Sequence, residues 1–366
     1  MHKKDTIHKK GTQVKLSLKK SWKKATTHLN RYAKGLLLTK GKKSCEEMGN
    51  LLCLSHDKIY RSMMFISCNI SFVQELSLRI IKEHSKEFPG WLVIDDTAIT
   101  KVYSKFMQGV VWMYNVLVGK EQKQFNILVF AWTNGSITVP IDFLFWYPKH
   151  SCDQYKTKSE LAIELLKKWW FKVPSKGLLG DGHFSTLALL NFCNQTRIPL
   201  VAKFSSNRKI ASADGISTQV KHHPGLKLHR NQRSKTAKII WHELTLFCTV
   251  HKRKNKNNEY NLVYYISTVR KASKEYVKLY GLRWEIEKMF RTMKQSLGLK
   301  DCFARKKALH VGHIFGVFHA YTFAQYIKSE ENLSYVEKAL RHLRDVKPEH
   351  LDNSLHRFNH NFGVIA

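Results

Sequence analysis

Apolar residues recur at Ile286, Phe290, Met293 and Leu297, the i, i+4, i+7, i+11 spacing of a buried helical face. At about 100° per residue, Tyr280, Glu287 and Lys294 sit seven apart and nearly stack on the flank beside that stripe, and Arg283 falls within roughly 60° of them. Glu285 points elsewhere. The pattern predicts one amphipathic helix with Ser273 as N-cap, Gly298 as its stop and Gly281 as a weak place in the first turns. Its polar flank is either a solvated surface or a deliberate grouping of Tyr, Arg, Glu and Lys.

Upstream the period changes. Residues 91–94 are a short apolar run ending in Asp95-Asp96-Thr97, and 110–118, 125–132 and 137–146 read as strands rich in Val, Ile, Phe, Trp and Tyr. Asn134-Gly135 between the last two predicts a type I′ hairpin. Residues 155–171 have helical spacing. Residues 176–185 then repeat the earlier design: a short apolar strand ends in Asp181, a helix over 186–193 follows, and 199–203 forms the next parallel strand. This β-Asp-α-β arrangement puts Asp181 at the carboxyl edge of a sheet, where α/β active sites lie. Taken singly, Asp95-Asp96-Thr97 reads equally as a turn or an N-cap. Residues 310–327 form a helix that is apolar around most of its circumference.

Charge adds a partner to this outline. The 366 residues carry 62 Lys and Arg against 28 acids, a net +34, which calls for a polyanion, with nucleic acid first. Residues 1–43 hold a dense Lys/Arg run against the single acid Asp5 and read as a solvated, partly mobile arm that adds non-specific DNA affinity. Between 207 and 268 acids nearly vanish while strand-like stretches persist, which predicts a basic β-rich insertion; Trp241, Tyr264 and Tyr265 there serve either core packing or base stacking. Over 44–62, Gly49, Cys53, Ser55 and Ile59 have the spacing of a helix-turn-helix, with Ser55, His56, Lys58, Tyr60 and Arg61 on or near the recognition helix. A plain helical hairpin has the same pattern. No run reaches the 18 or so apolar residues of a membrane span, and no signal-peptide core follows the basic start. Seven scattered cysteines without a CxxC pair argue for reduced thiols in a cytoplasmic protein.

The spacing Y-x2-R-x3-E-x6-K, present as Tyr280, Arg283, Glu287 and Lys294, resembles the signature of the DDE transposases of bacterial insertion sequences, and more narrowly of the type-four insertion-sequence group. The resemblance covers roughly residues 86–330. It implies an α/β, ribonuclease H-like core, a mixed sheet flanked by helices, interrupted by the β-rich insertion. It also implies that Asp95, Asp181 and Glu287 are catalytic and bind the metal, Mg²⁺ or Mn²⁺ and two ions in all, for which oxygen donors are suited. Asp95 fits the family's Asp-x-Thr pattern; Asp96 is the alternative. Tyr280, Arg283 and Lys294 would contact DNA, as would Ser55, Lys58 and Arg61 if residues 44–62 read it.

The expected organisation is then 1–85 as basic arm and helical DNA-binding region, 86–206 with 269–330 as catalytic core, 207–268 as insertion and 331–366 as a helical tail. The implied activity is binding of terminal inverted repeats, metal-dependent hydrolysis at the ends and joining of the 3′-hydroxyls to target DNA. Double-stranded DNA is the partner, a homodimer the working form, and the nucleoid the location. A helix-turn-helix regulator and a metal nuclease without strand transfer are the competing classes.

Overall fold

The structure, a computed structural model, describes residues 21–115, 118–211, 215, 217–255 and 257–362. A central sheet is built around β1 (Gly90–Thr100), β3 (Lys120–Thr133), β4 (Thr138–Trp146), β5 (Ser175–Gly180) and β6 (Leu200–Phe204). β1, β3 and β4 run antiparallel to one another in sequence order, whereas β5 and β6 continue the sheet parallel to β1. The crossovers are α5 (Lys158–Trp169) and α6 (Leu187–Gln195). Residues 90–94 and 177–180 are buried throughout, which is why these stretches read as unbroken apolar runs rather than alternating ones.

The antiparallel partner extends β1 well past the expected end at residue 94. Ten consecutive residues pair with β3, from Trp91↔Thr133 to Thr100↔Gln124, so Asp95 and Asp96 lie within a strand. The short β2 (Val111–Asn115) pairs with the start of β3. The turn after β3 also departs from expectation. Gly135 alone of Asn134 and Gly135 takes a positive φ, while the Asn134 side chain accepts from the backbone N–H groups of Ser136 and Ile137. That side-chain cap replaces the type I′ geometry.

The basic stretch supplies β7 (Lys209–Ala211), β8 (Ser217–Gln219), β9 (Ser234–Trp241), β10 (Leu244–Lys254) and β11 (Tyr260–Ser267). β11 pairs antiparallel with β6, so these strands prolong the same sheet. The strand-like residues 239–250 are not one strand but contain the turn of a β9–β10 hairpin. His242 and Glu243 both have positive φ there, the two-residue I′ requirement met without Asn or Gly. Trp241, Tyr264 and Tyr265 are all buried.

Helices cover both faces. Long helices α7 (Ser273–Gln295) and α8 (Lys307–Glu330) follow the last strand, then α9 (Val336–Asp345) and α10 (Pro348–Phe362). Ahead of the sheet come α1 (21–38), α2 (Cys45–Leu51), α3 (His56–Cys68) and α4 (Ile70–His84). The expectation of a solvated arm over 1–43 is corrected here: residues 1–20 lie outside the described residues, but α1 buries Ala25, Leu29, Tyr32, Ala33 and Leu36 in the core. Those positions, three or four apart, form an apolar stripe that the Lys/Arg count obscured.

Gly49 lets α2 and α3 cross closely, since a Cβ there would stand 2.7 Å from the Leu54 carbonyl oxygen. Gly312 does the same between α8 and α3, where a Cβ would lie 2.2 Å from the Met63 carbonyl oxygen. No single helix among the described residues is long and apolar enough to cross a membrane; α3 and α4 qualify only together, bent by 73°, and both bury apolar faces in the protein.

Gly312→Ala is expected to cost about 1–3 kcal/mol, because backbone must move to admit the methyl group. Gly281→Ala, where an added Cβ meets nothing within 4 Å, is expected to gain about 0.5–1 kcal/mol of helix stability. Chemical denaturation of the two variants beside the wild type measures both signs.

Candidate active site

The site starts from strand register. Ile94 of β1, Gly180 of β5 and Ala202 of β6 are aligned across three parallel strands. The next residues, Asp95, Asp181 and Lys203, therefore form a row along one edge, neighbouring strands being about 4.8 Å apart. Asp181 directly follows β5, and its Oδ1 accepts the His183 N–H at 2.8 Å, so the turn that starts the β5–α6 connection also orients the carboxylate.

α7 crosses this edge. Its stripe Ile286, Met289, Phe290 and Met293 is buried as the spacing predicts. Its start differs by one residue. Ala272 is the cap, the Glu275 carboxylate accepts the Ala272 N–H, and the Ser273 hydroxyl instead bonds Ser234 of β9 at 2.8 Å. The flank beside the stripe faces the carboxylates. Arg283, only 7 % exposed, donates from Nη1 to Asp95 Oδ2 at 3.1 Å and from Nη2 to Glu287 Oε1. Its guanidinium lies 5.2 Å from the centre of the Tyr280 ring, which packs 4.8 Å from Tyr265. Burial alone would lower the pKa of Arg283, but Tyr280, Glu287 and Asp95 outweigh it and hold the group above its ordinary value.

Burial and the neighbouring Asp181 charge push Asp95 up to about 7 from 3.8, against the opposing pull of Arg283 and the Asp96 N–H. Asp96 points to the other face, as successive strand residues must. There Lys158 of α5 and Asn126 of β3 donate to its Oδ2 at 2.8 and 2.9 Å. Lys294, two turns beyond Glu287, is buried enough that its pKa is lowered, although Asp96 and Asp95 favour its charge.

Two clefts open on this edge. One, of about 780 Å³, is lined by Asp181, His183, Lys203, Tyr280 and Arg283. A second of the same volume lies further along β1, lined by Lys42, Ile99, Thr100, Lys294 and Lys300. Ser55, which precedes α3, and Lys58 and Arg61 on its first turns are elsewhere and exposed, and the structure does not bring them to the carboxylates. Sequence reasoning missed Lys203, whose signal was its place directly after the apolar run of the third parallel strand. It also missed the partners of Asp96, which no local pattern marks.

Asp95 and Asp181 offer hard oxygen donors whose mutual repulsion a divalent cation would relieve, so the pair fits Mg²⁺ or Mn²⁺. Glu287 joins them through Arg283. Among the described residues, no three His, Cys, Asp or Glu side chains already stand close enough together to hold an ion.

Residues 92–323 match the family model described as the transposase DDE domain. No curated protein matches the chain. The matched segment runs from the start of β1 through most of α8 and contains the whole carboxylate edge, together with the mixed sheet flanked by helices that suits a ribonuclease H-like transposase fold. By that match, over more than half of its length, the chain belongs to the DDE transposase family.

Proposed function

We propose that the chain is an insertion-sequence transposase of the type-four group, which binds the terminal inverted repeats of its element, cuts DNA at their ends and joins the freed ends to a target. The observation that carries this reading is that Asp95 and Asp181 directly follow the paired Ile94 and Gly180 of adjacent parallel strands, with Arg283 of the Tyr280–Lys294 spacing joining Asp95 to Glu287.

Asp95, Asp181 and Glu287 would hold two divalent ions, which supply an activated oxygen nucleophile and neutralise charge at the phosphate. Cleavage is hydrolysis: a water oxygen bonds to phosphorus, the bond from phosphorus to the 3′ oxygen breaks, and that oxygen leaves as a 3′-hydroxyl. Joining is transesterification: the 3′-hydroxyl oxygen bonds to a target phosphorus and displaces the target's own 3′ oxygen, so the number of phosphodiester bonds is unchanged. The protein's contribution is electrostatic and positional. Arg283 and Lys203 flank the carboxylates with fixed positive charge for the phosphate, Tyr280 braces Arg283, and Lys294 takes the backbone further along the groove. Ser55 at the start of α3 and Lys58 and Arg61 on its first turns, exposed and spaced at three residues, would read or grip the flanking duplex as the second helix of a helix-turn-helix. Two copies would bring two ends together.

Cleavage of a labelled fragment carrying the gene's own flank tests the reading. Mg²⁺-dependent nicks at a repeat boundary, and joined products with a target duplex, are expected for the wild type. Asp181→Ala and Glu287→Gln should bind the fragment with affinity near that of the wild type and cut it at least about a hundredfold more slowly. Cutting that survives both changes would exclude these carboxylates, and cutting without joining would leave a nuclease.

A pH dependence of stability follows from Asp95. In the fold it keeps its proton up to about pH 7, whereas an unfolded chain releases it near 3.8. Its stabilising contribution is thus fully present below about pH 4 and is lost as pH rises through about 7. Metal-free Asp95→Asn protein should escape that loss and melt a few degrees above the wild type at pH 8, with a smaller difference at pH 5. A constant offset at both pH values would remove Asp95 as the titrating group.

A further inference from the structure

Past Asp95, β1 runs on to Thr100 and gives way to a loop whose rings face outward: Tyr103 is 97 % exposed and Phe106 80 %. Phe303, 58 % exposed, reaches the same place from the segment between α7 and α8. Together they line a cleft of about 450 Å³ with Lys105, Lys300 and Arg305, and no carboxylate is among its lining residues.

The cleft is held in shape by bonds that leave the Tyr103 and Phe106 rings and the outer cations free to meet a partner, while Lys101 Nζ lies 5.7 Å from the centre of the Phe303 ring. Buried Lys101 donates from Nζ to the backbone carbonyls of Lys300 and Cys302, tying the end of β1 to the chain after α7. The Gln108 N–H donates to the Arg305 carbonyl at 2.8 Å, and Lys123 Nζ to the Ser104 carbonyl at 2.9 Å. Such a frame removes ordering cost from whatever docks there.

Adjacent exposed rings mark a contact surface, and cations without carboxylates select an anionic partner. Ring faces interleaved with Lys and Arg suit a strand with unpaired bases, whose faces are free to stack while its phosphates meet the cations. In an intact duplex those faces are already covered by neighbouring bases. The place is also in line with the candidate active site. Thr100, Val102 and Lys300 line both this cleft and the one holding Lys294, so the groove is continuous. The five residue steps from Asp95 to Thr100 span about 17 Å of extended strand, a distance that five base pairs of duplex would cover at about 3.4 Å each and that an extended single strand covers with fewer nucleotides.

We propose that this aromatic and basic cleft binds a single-stranded stretch of the DNA engaged at the carboxylates, with an unpaired base on Tyr103, Phe106 or Phe303 and its phosphates at Lys105, Lys300 and Arg305. The inference rests on the DNA-processing reading above.

The test compares the full-length chain with Tyr103→Ala/Phe106→Ala and Phe106→Leu, the latter keeping apolar bulk without a ring face. Fluorescence anisotropy is read with two probes, an intact short duplex and the same duplex carrying a single-stranded gap, and light scattering gives the mass of each protein. The double variant should lose about tenfold or more in affinity for the gapped probe and about twofold or less for the intact one, and Phe106→Leu should lose part of the same preference. Equal losses on both probes, or none on either, overturn the proposal while leaving the transposase reading in place. Unchanged DNA binding with a fall in mass assigns the rings to contact with a second copy, which also overturns it. A wild-type chain that binds neither probe overturns the proposal and the DNA reading together.

Discussion

Two carboxylates placed side by side on adjacent strands repel, and a fold that keeps them there must compensate for the repulsion. The register Ile94↔Gly180 makes this arrangement unavoidable for Asp95 and Asp181. Part of the compensation is Arg283, nearly buried, whose two Nη groups join Asp95 to Glu287. Burial and the Asp181 charge also push Asp95 up to about 7, so it takes up a proton more readily than an ordinary carboxyl. Protein groups thus offset the negative charge of the cluster only in part. The orientation of α7, the bracing of Arg283 by Tyr280 and the position of Lys294 all follow from where that guanidinium must be.

The surrounding layers keep this edge rigid and open. α8 is buried around nearly its whole circumference, and close approaches at Gly312 and Gly316 let α3 and α1 pack against it. The helices ahead of the sheet therefore share one hydrophobic core with the strands that hold the carboxylates. The basic strands β7–β11 prolong the same sheet beyond β6, and β11 lines the cleft beside Asp181 through Asn261, Leu262, Val263 and Tyr264. A single sheet thus presents both the carboxylates and a wall of the cleft.

Much of this was legible where local pattern and environment agree. The ends of the buried runs marked Asp95 and Asp181, and helical phase put Tyr280, Arg283 and Glu287 on one flank. What local pattern lacks is partner information. Nothing near Asp95 says that β3 continues the strand to Thr100, or that Arg283, 188 residues away, reaches it. Lys203 becomes visible only once three strands are in register. The Asn134-Gly135 expectation failed because an Asn side chain can cap the backbone as well as adopt left-handed geometry. Over residues 21–38 the expectation of a mobile arm failed because charge count outweighed an apolar stripe in the same residues.

The most direct test of the account is binding of Mn²⁺ by the metal-free protein, followed by titration calorimetry at pH 8 without DNA, for the wild type and for Asp95→Asn, Asp181→Asn and Asp96→Asn. The account predicts that the first two substitutions weaken binding at least about tenfold, whereas Asp96→Asn, on the opposite face with Lys158 and Asn126, leaves it near the wild-type value. Loss in Asp96→Asn with retention in Asp95→Asn would contradict it, because the carboxylate edge described here would then be the wrong one.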